Sequence, residues 1–165
     1  MAVDTLRRAA VFLLLLLVQG LVLGRIHLYG VATPLLYVYF AIILPRNYPR
    51  WASLIWCFLM GLCVDMFSNT PGVAAASMTF MGMIQPWLLE LFVPRDSAEN
   101  LKSSAVTLGN GKFATLSFFM LLIYCLLFFT LESFSFFDLQ HWILCVLSST
   151  LLTLILVTTL ESIRR

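Results

Sequence analysis

The sequence predicts an all-α integral membrane protein, a bundle of six transmembrane helices in a single domain over residues 1–165 with both termini cytoplasmic. Three observations lead there: an apolar excess, six apolar segments separated by short links, and the placement of the cations. Of the 165 residues 61% are hydrophobic and 11% charged, where soluble domains average about 45–50% and about 25%. With a mean hydropathy of +0.98, a chain this short has too little interior to hide its apolar side chains from water, so its solvent is lipid. The apolar segments fall at about 9–24, 28–44, 51–67, 72–93, 113–131 and 142–160. With the amino terminus inside, nine of the ten cations (Arg7, Arg8, Arg46, Arg50, Arg95, Lys102, Lys112, Arg164 and Arg165) lie on the cytoplasmic side. Arg25 alone lies outside, as the positive-inside rule favours. Ten scattered cations and a net charge of +2 make no nucleic-acid footprint.

Arg7-Arg8 followed by a leucine run imitates a secretory signal peptide. No small-x-small cleavage pattern closes it, so it reads as a retained first span. The second segment is interrupted by Pro34 and stopped by Pro45; its 17 residues are marginal against the ~20 a span needs. A kinked, shallow or re-entrant helix is expected there. Tyr48 and Trp51 beside Arg46 and Arg50 look like an interface anchor. The cytoplasmic loop 94–112 carries Asp96-x-x-Glu99, a capping-box pattern, and a helical recurrence of Ala98, Leu101, Ala105 and Leu108, which fits a short surface helix. Glu132 and Asp138 read as solvated, and Glu161 is spaced to pair with Arg164 or Arg165.

The stretch Gly61 to Glu90 carries most of the functional information. Asp65 sits about fifteen residues into the third segment, roughly 22 Å from its cytoplasmic end. A carboxylate at such a depth needs a partner or a wet pocket. It is either a site residue or an acceptor for hydrogen bonds from the turn that follows, Ser68-Asn69-Thr70-Pro71-Gly72. Thr70 and Pro71 suit a helix start. Gly72 and Ala76 have small-xxx-small spacing, and Gly61 precedes Asp65 by one turn, so a tightly packed hairpin is expected. Gln85-Pro86 should kink the fourth segment. Met60, Met66, Met78, Met81 and Met83 are core filling or the lining of an adaptable pocket.

Catalysis finds no support. HExxH, GxSxG, a Walker A loop and paired intramembrane carboxylates are all missing. Cys57, Cys63, Cys125 and Cys145 have no CxxC spacing, and there are only two histidines, His27 and His141. Reduced cysteines are expected, with a disulfide or metal site as the alternative. No catalytic residue, cofactor or metal is expected.

Gly61-Leu62, Asp65, Ser68 and Pro71 spell G-L-x-x-D-x-x-S-x-x-P, followed by Gly72 and an alanine-rich helix. This pattern resembles the bacterial rod shape-determining MreD family, and Thr33 to Trp51 resembles that family's second segment. The resemblance covers Pro34 to about Pro86. The family often places a residue between the proline and glycine of the turn, whereas here Pro71 and Gly72 are adjacent. What the resemblance implies is a non-catalytic protein of the bacterial cytoplasmic (inner) membrane. It would bind MreC and help couple MreB filaments to the wall-building glycosyltransferase and transpeptidase. Gly61, Asp65, Ser68, Pro71 and Gly72 are then the partner-binding or pocket residues. The family is also similar in fold to the substrate-binding subunits of energy-coupling-factor transporters. That gives an alternative function, binding of a vitamin-like molecule in an outward pocket.

Overall fold

The computed structural model describes residues 2–21, 33–45, 48–92, 108–133 and 139–164. The elements are α1 (Ala2–Leu21), a 3-10 turn (Leu36–Val38) running into α2 (Tyr39–Ile42), α3 (Arg50–Ser68), α4 (Val73–Phe92), α5 (Asn110–Ser133) and α6 (Leu139–Arg164). Among the described residues there is no strand. Arg50–Ser68, Asn110–Ser133 and Gln140–Ile163 are long and apolar enough to cross a membrane, which makes the chain a helical membrane protein by length and composition. Residues 22–32, where the first link and the start of the second segment were placed, lie outside the described residues, as does nearly all of the expected surface helix.

Neighbouring helices pack in the order α1, α3, α4, α5, α6, and the 3-10 turn and α2 lie inside this arc against α1, α4 and α6. Residues facing away from it, such as Leu13, Leu14 and Leu17 of α1 and Leu147, Leu151 and Ile155 of α6, are exposed large aliphatics. Without a membrane such a surface would be a fault; in lipid it is the solvated face. Hydroxyls inside the long helices bond to carbonyls four residues back, as Thr130 does to Leu126 and Thr158 to Leu154. This is how polar residues continue a helix through an apolar medium.

The second apolar segment, expected to be kinked, shallow or re-entrant, is interrupted in its described portion. Its described portion is not a continuous span. Residues 33–35 are irregular, a 3-10 turn and a four-residue helix follow, and the chain turns again at Ile43. Leu35 to Ile42 are all at most 5% exposed. Pro34 lacks an amide and holds Thr33 out of the helical region, so no long helix can start above it; Pro45 ends the run.

A broken helix strands backbone groups, and in lipid each one left unpaired costs several kcal/mol. Side chains from three other helices supply the missing partners. The Gln19 amide of α1 donates to Pro34 O (2.9 Å) and accepts from Leu36 N (3.1 Å). On α6, Ser149 Oγ accepts from Thr33 N and Thr153 Oγ1 from Leu35 N, each at 3.1 Å. Gln85 Nε2 of α4 donates to Leu44 O at 2.9 Å. Gln85 thus serves this segment. Ser149, Thr153, Val157 and Glu161 recur every four residues, so they line one buried face of α6. At its far end Glu161 accepts a hydrogen bond from the Tyr39 hydroxyl, and the Tyr37 and Tyr124 hydroxyls bond to each other. Glu161 is therefore an interior group, 4% exposed; the side chains of Arg164 and Arg165, its expected partners, lie outside the described residues.

Replacing Gln19 with leucine removes two of these bonds from buried backbone. The expected loss is about 2 kcal/mol of stability, read as earlier thermal unfolding of the detergent-solubilised protein. Unchanged unfolding would mean that Pro34 and Leu36 find other partners.

Candidate functional site

Gly61, Asp65, Ser68, Pro71 and Gly72 all lie in the α3–α4 hairpin, but they do different things. The hairpin is antiparallel, since Gly61 meets Ala74 and Ala75 while Cys57 meets Gly82. A Cβ on Gly61 would lie 2.5 Å from both Ala74 O and Ala75 Cα. Backbone touches backbone there, and only glycine permits it. Gly72, by contrast, has open space around it and a φ of +85°. Its role is conformational. The small-residue approach expected of Gly72 and Ala76 belongs instead to Gly61 and Gly82.

Helix α4 begins at Val73, so Gly72 stands at the position where a capping side chain is usually found, and it has none. Asp65 supplies the cap from the neighbouring helix. Its Oδ1 accepts from Ala74 N and its Oδ2 from Ala75 N, both at 2.9 Å, and Thr70 Oγ1 donates to Oδ1 at 3.0 Å. These amides are the second and third of the helix, the pair that a capping residue normally satisfies. The carboxylate also sits at the positive end of the helix dipole. Asp65 is 7% exposed, its charge met from within the chain. The turn does bond to it, as one expectation had it, but through the Thr70 hydroxyl and the first turn of α4. Thr70 donates to Asp65, and Pro71 precedes the helix instead of opening it.

Asn69 ends α3 in the left-handed conformation, with φ 56° and ψ 33°. Ser68 and Pro71 are exposed, and Met66 and Phe67 beside them are 78% and 59% exposed. The hairpin therefore presents Met66, Phe67, Ser68 and Pro71 outward and keeps Gly61 and Asp65 inside. A cavity of about 180 Å³ lies next to it, lined by Gln19, Thr33, Tyr37, Ser68, Thr70 and Glu132 among others. Ligand pockets run to about 300–1,000 Å³, so this one is small for a cofactor-sized molecule.

No protein-family model, curated protein or solved structure matches the chain. Function rests on the residues themselves. Among the described residues no three of His, Cys, Asp and Glu stand together as a metal site, and all four cysteines are free. Met60, Met78 and Met81 are buried in the core, while Met66 and Met83 face outward, so the methionines do not share one pocket.

Sequence reasoning missed the polar partners of the broken segment: Gln19, Gln85, Ser149, Thr153 and the Tyr39–Glu161 and Tyr37–Tyr124 pairs. A usable signal was present. Gln19 and Gln85 are amides inside apolar runs, and Ser149, Thr153 and Glu161 share a four-residue register.

Proposed function

We propose that the chain is a non-catalytic membrane scaffold of the MreD type, spanning the bacterial cytoplasmic membrane with both termini inside. In this reading it binds the membrane helix of MreC and helps couple MreB filaments to the peptidoglycan glycosyltransferase and transpeptidase. The observation that carries it is the hairpin: the residues of the MreD-like pattern form a rigid, self-satisfied corner. Asp65 is engaged by three donors of its own chain, which leaves an outward surface at Met66, Phe67, Ser68 and Pro71 for a partner. Asp65 and Gly61 act by holding that surface, and Ser68 and Pro71 by touching the partner. α1, with Arg7 and Arg8 in its first turns, enters from the cytoplasmic side, and the broken segment counts as the second pass.

The test is a mild-detergent pull-down of tagged protein from native membranes, with partners read by mass spectrometry. MreC and wall synthases are expected. The exposed-site variant Ser68→Arg should keep wild-type unfolding and lose MreC recovery by ~tenfold, as central contacts do. Full recovery would remove the hairpin surface from the interface. A second reading, the transporter-type small-molecule subunit, draws only on the polar lining of the adjacent cavity, whose volume of about 180 Å³ falls below the usual ligand range. Recovery of transporter subunits together with a bound metabolite would select it.

A further inference from the structure

The first turns of α6 carry two side chains that none of the roles above uses. His141 and Cys145 stand four residues apart on one face of the helix, and His141 Nε2 lies 3.5 Å from Cys145 Sγ. His141 is exposed. Cys145 is 8% exposed, at the edge where the buried face of α6 gives way to the outward-facing Leu144 and Leu147. Its thiol is free. The 26 residues of α6 make a helix about 39 Å long, about 9 Å more than the hydrocarbon core of a bilayer. Cys145 is only about 9 Å along the axis from the first residue of this helix. The pair therefore sits near the headgroup layer, within reach of dissolved ions.

A thiol is a weak hydrogen-bond donor, so the contact contributes little as a hydrogen bond. Thiolate sulfur and imidazole nitrogen are also ligands for soft and borderline metal ions, and their spacing discriminates among geometries. Sulfur at about 2.3 Å and nitrogen at about 2.0 Å from one tetrahedral ion lie about 3.5 Å apart. On a linear two-coordinate ion the same bonds would hold them about 4.3 Å apart. The observed separation of 3.5 Å matches the tetrahedral case.

We infer that His141 and Cys145 form a zinc site at the start of α6, with Nε2 and the thiolate sulfur as its protein ligands and water in the other two positions. On binding, the thiol loses its proton to solvent, while the imidazole coordinates through the Nε2 lone pair and keeps its proton on Nδ1. Two protein ligands are fewer than the four of a closed structural site, so the ion exchanges with solvent. By joining residues one turn apart it pins the opening turns of α6, where the leading amides have no partner within the helix. The site is separate from the α3–α4 hairpin and does not rest on the scaffold reading.

The test uses the full-length protein purified in detergent under a non-thiol reductant, freed of metal with a chelator and titrated with Zn2+ or with Co2+ as a coloured probe. One ion per chain is expected. Cobalt should show sulfur-to-metal charge transfer and the intense visible bands of four-coordinate geometry. Zinc should slow amide exchange over Ile143 to Val146. Cys145→Ser and His141→Gln should each weaken binding by ~100-fold, at least what loss of a group one shell further out costs. Cys63→Ser and His27→Gln should leave binding unchanged. His141 is exposed, so His141→Gln tests the site even if Cys145→Ser folds poorly. Absence of saturable uptake, or uptake indifferent to His141→Gln, would overturn the proposal. Uptake of Cu+ but not Zn2+ would overturn the tetrahedral assignment. One ion per two chains, with a dimer on size exclusion, would overturn completion by water.

Discussion

Gly61→Val is expected to disable the α3–α4 hairpin. The first carbon added at this position already falls 2.5 Å from a carbonyl oxygen and an α-carbon of α4. Ordinary contact needs roughly 1 Å more, and neither atom belongs to a side chain that can swing away. Overpacking of a core costs about 1–3 kcal/mol; with backbone on both sides the upper end applies. Moving α4 outward also stretches the two 2.9 Å bonds from Ala74 and Ala75 to Asp65. Thermal unfolding should fall steeply, and amide exchange at Ala74 and Ala75 should quicken. Gly72→Ala is the contrast. It meets no atom within 4 Å and loses only the glycine preference for its positive φ, about 1 kcal/mol. If the two glycines were equally sensitive, the crossing at Gly61 would not be what sets the helix distance.

Asp65→Ala is expected to cost about 3 kcal/mol, because it leaves two buried helix-start amides and a hydroxyl without their acceptor and removes a charge from the helix dipole. Asp65→Asn should cost less, about 1–2 kcal/mol: one oxygen remains for two of the three donors, while the new amide faces the third. The measurement is unfolding in detergent with amide exchange at Ala74 and Ala75. Equal stability of all three proteins would show the cap to be dispensable. The double variant Gly61→Val with Asp65→Ala should cost less than the two single losses added, since both act on the same contact between α3 and α4.

The helical membrane class was readable because it follows from local composition. The expected segments 51–67 and 113–131 sit inside Arg50–Ser68 and Asn110–Ser133. Asp65 was legible as an anomaly, a carboxylate in an apolar run, and its neighbours as a turn; that it would reach the amides of Ala74 and Ala75 depended on the crossing at Gly61. The broken second segment was not legible in the same way. Pro34 and Pro45 flag an interruption, yet they read alike for a kinked span and for a buried irregular strip. What distinguishes the two is whether partners exist, and these sit on α1, α4 and α6. Likewise the uneven roles of Gly61 and Gly72 follow from their φ angles and neighbours, which spacing does not carry.

The buried irregular strip also sets a schedule for making the protein. Thr33 and Leu35 are matched by hydroxyls that lie 116 and 118 residues later in the chain. A ribosome adds about 5–20 residues per second, so these amides wait roughly 6–24 s for Ser149 and Thr153. During that interval the strip cannot commit to hydrocarbon, where its bare amides would be stranded. It must stay at a wet edge or inside the insertion machinery until the last helix arrives. A nascent chain cut short before α6 keeps its apolar sequence but has no finished interior, and quality-control proteases can recognise it by that difference.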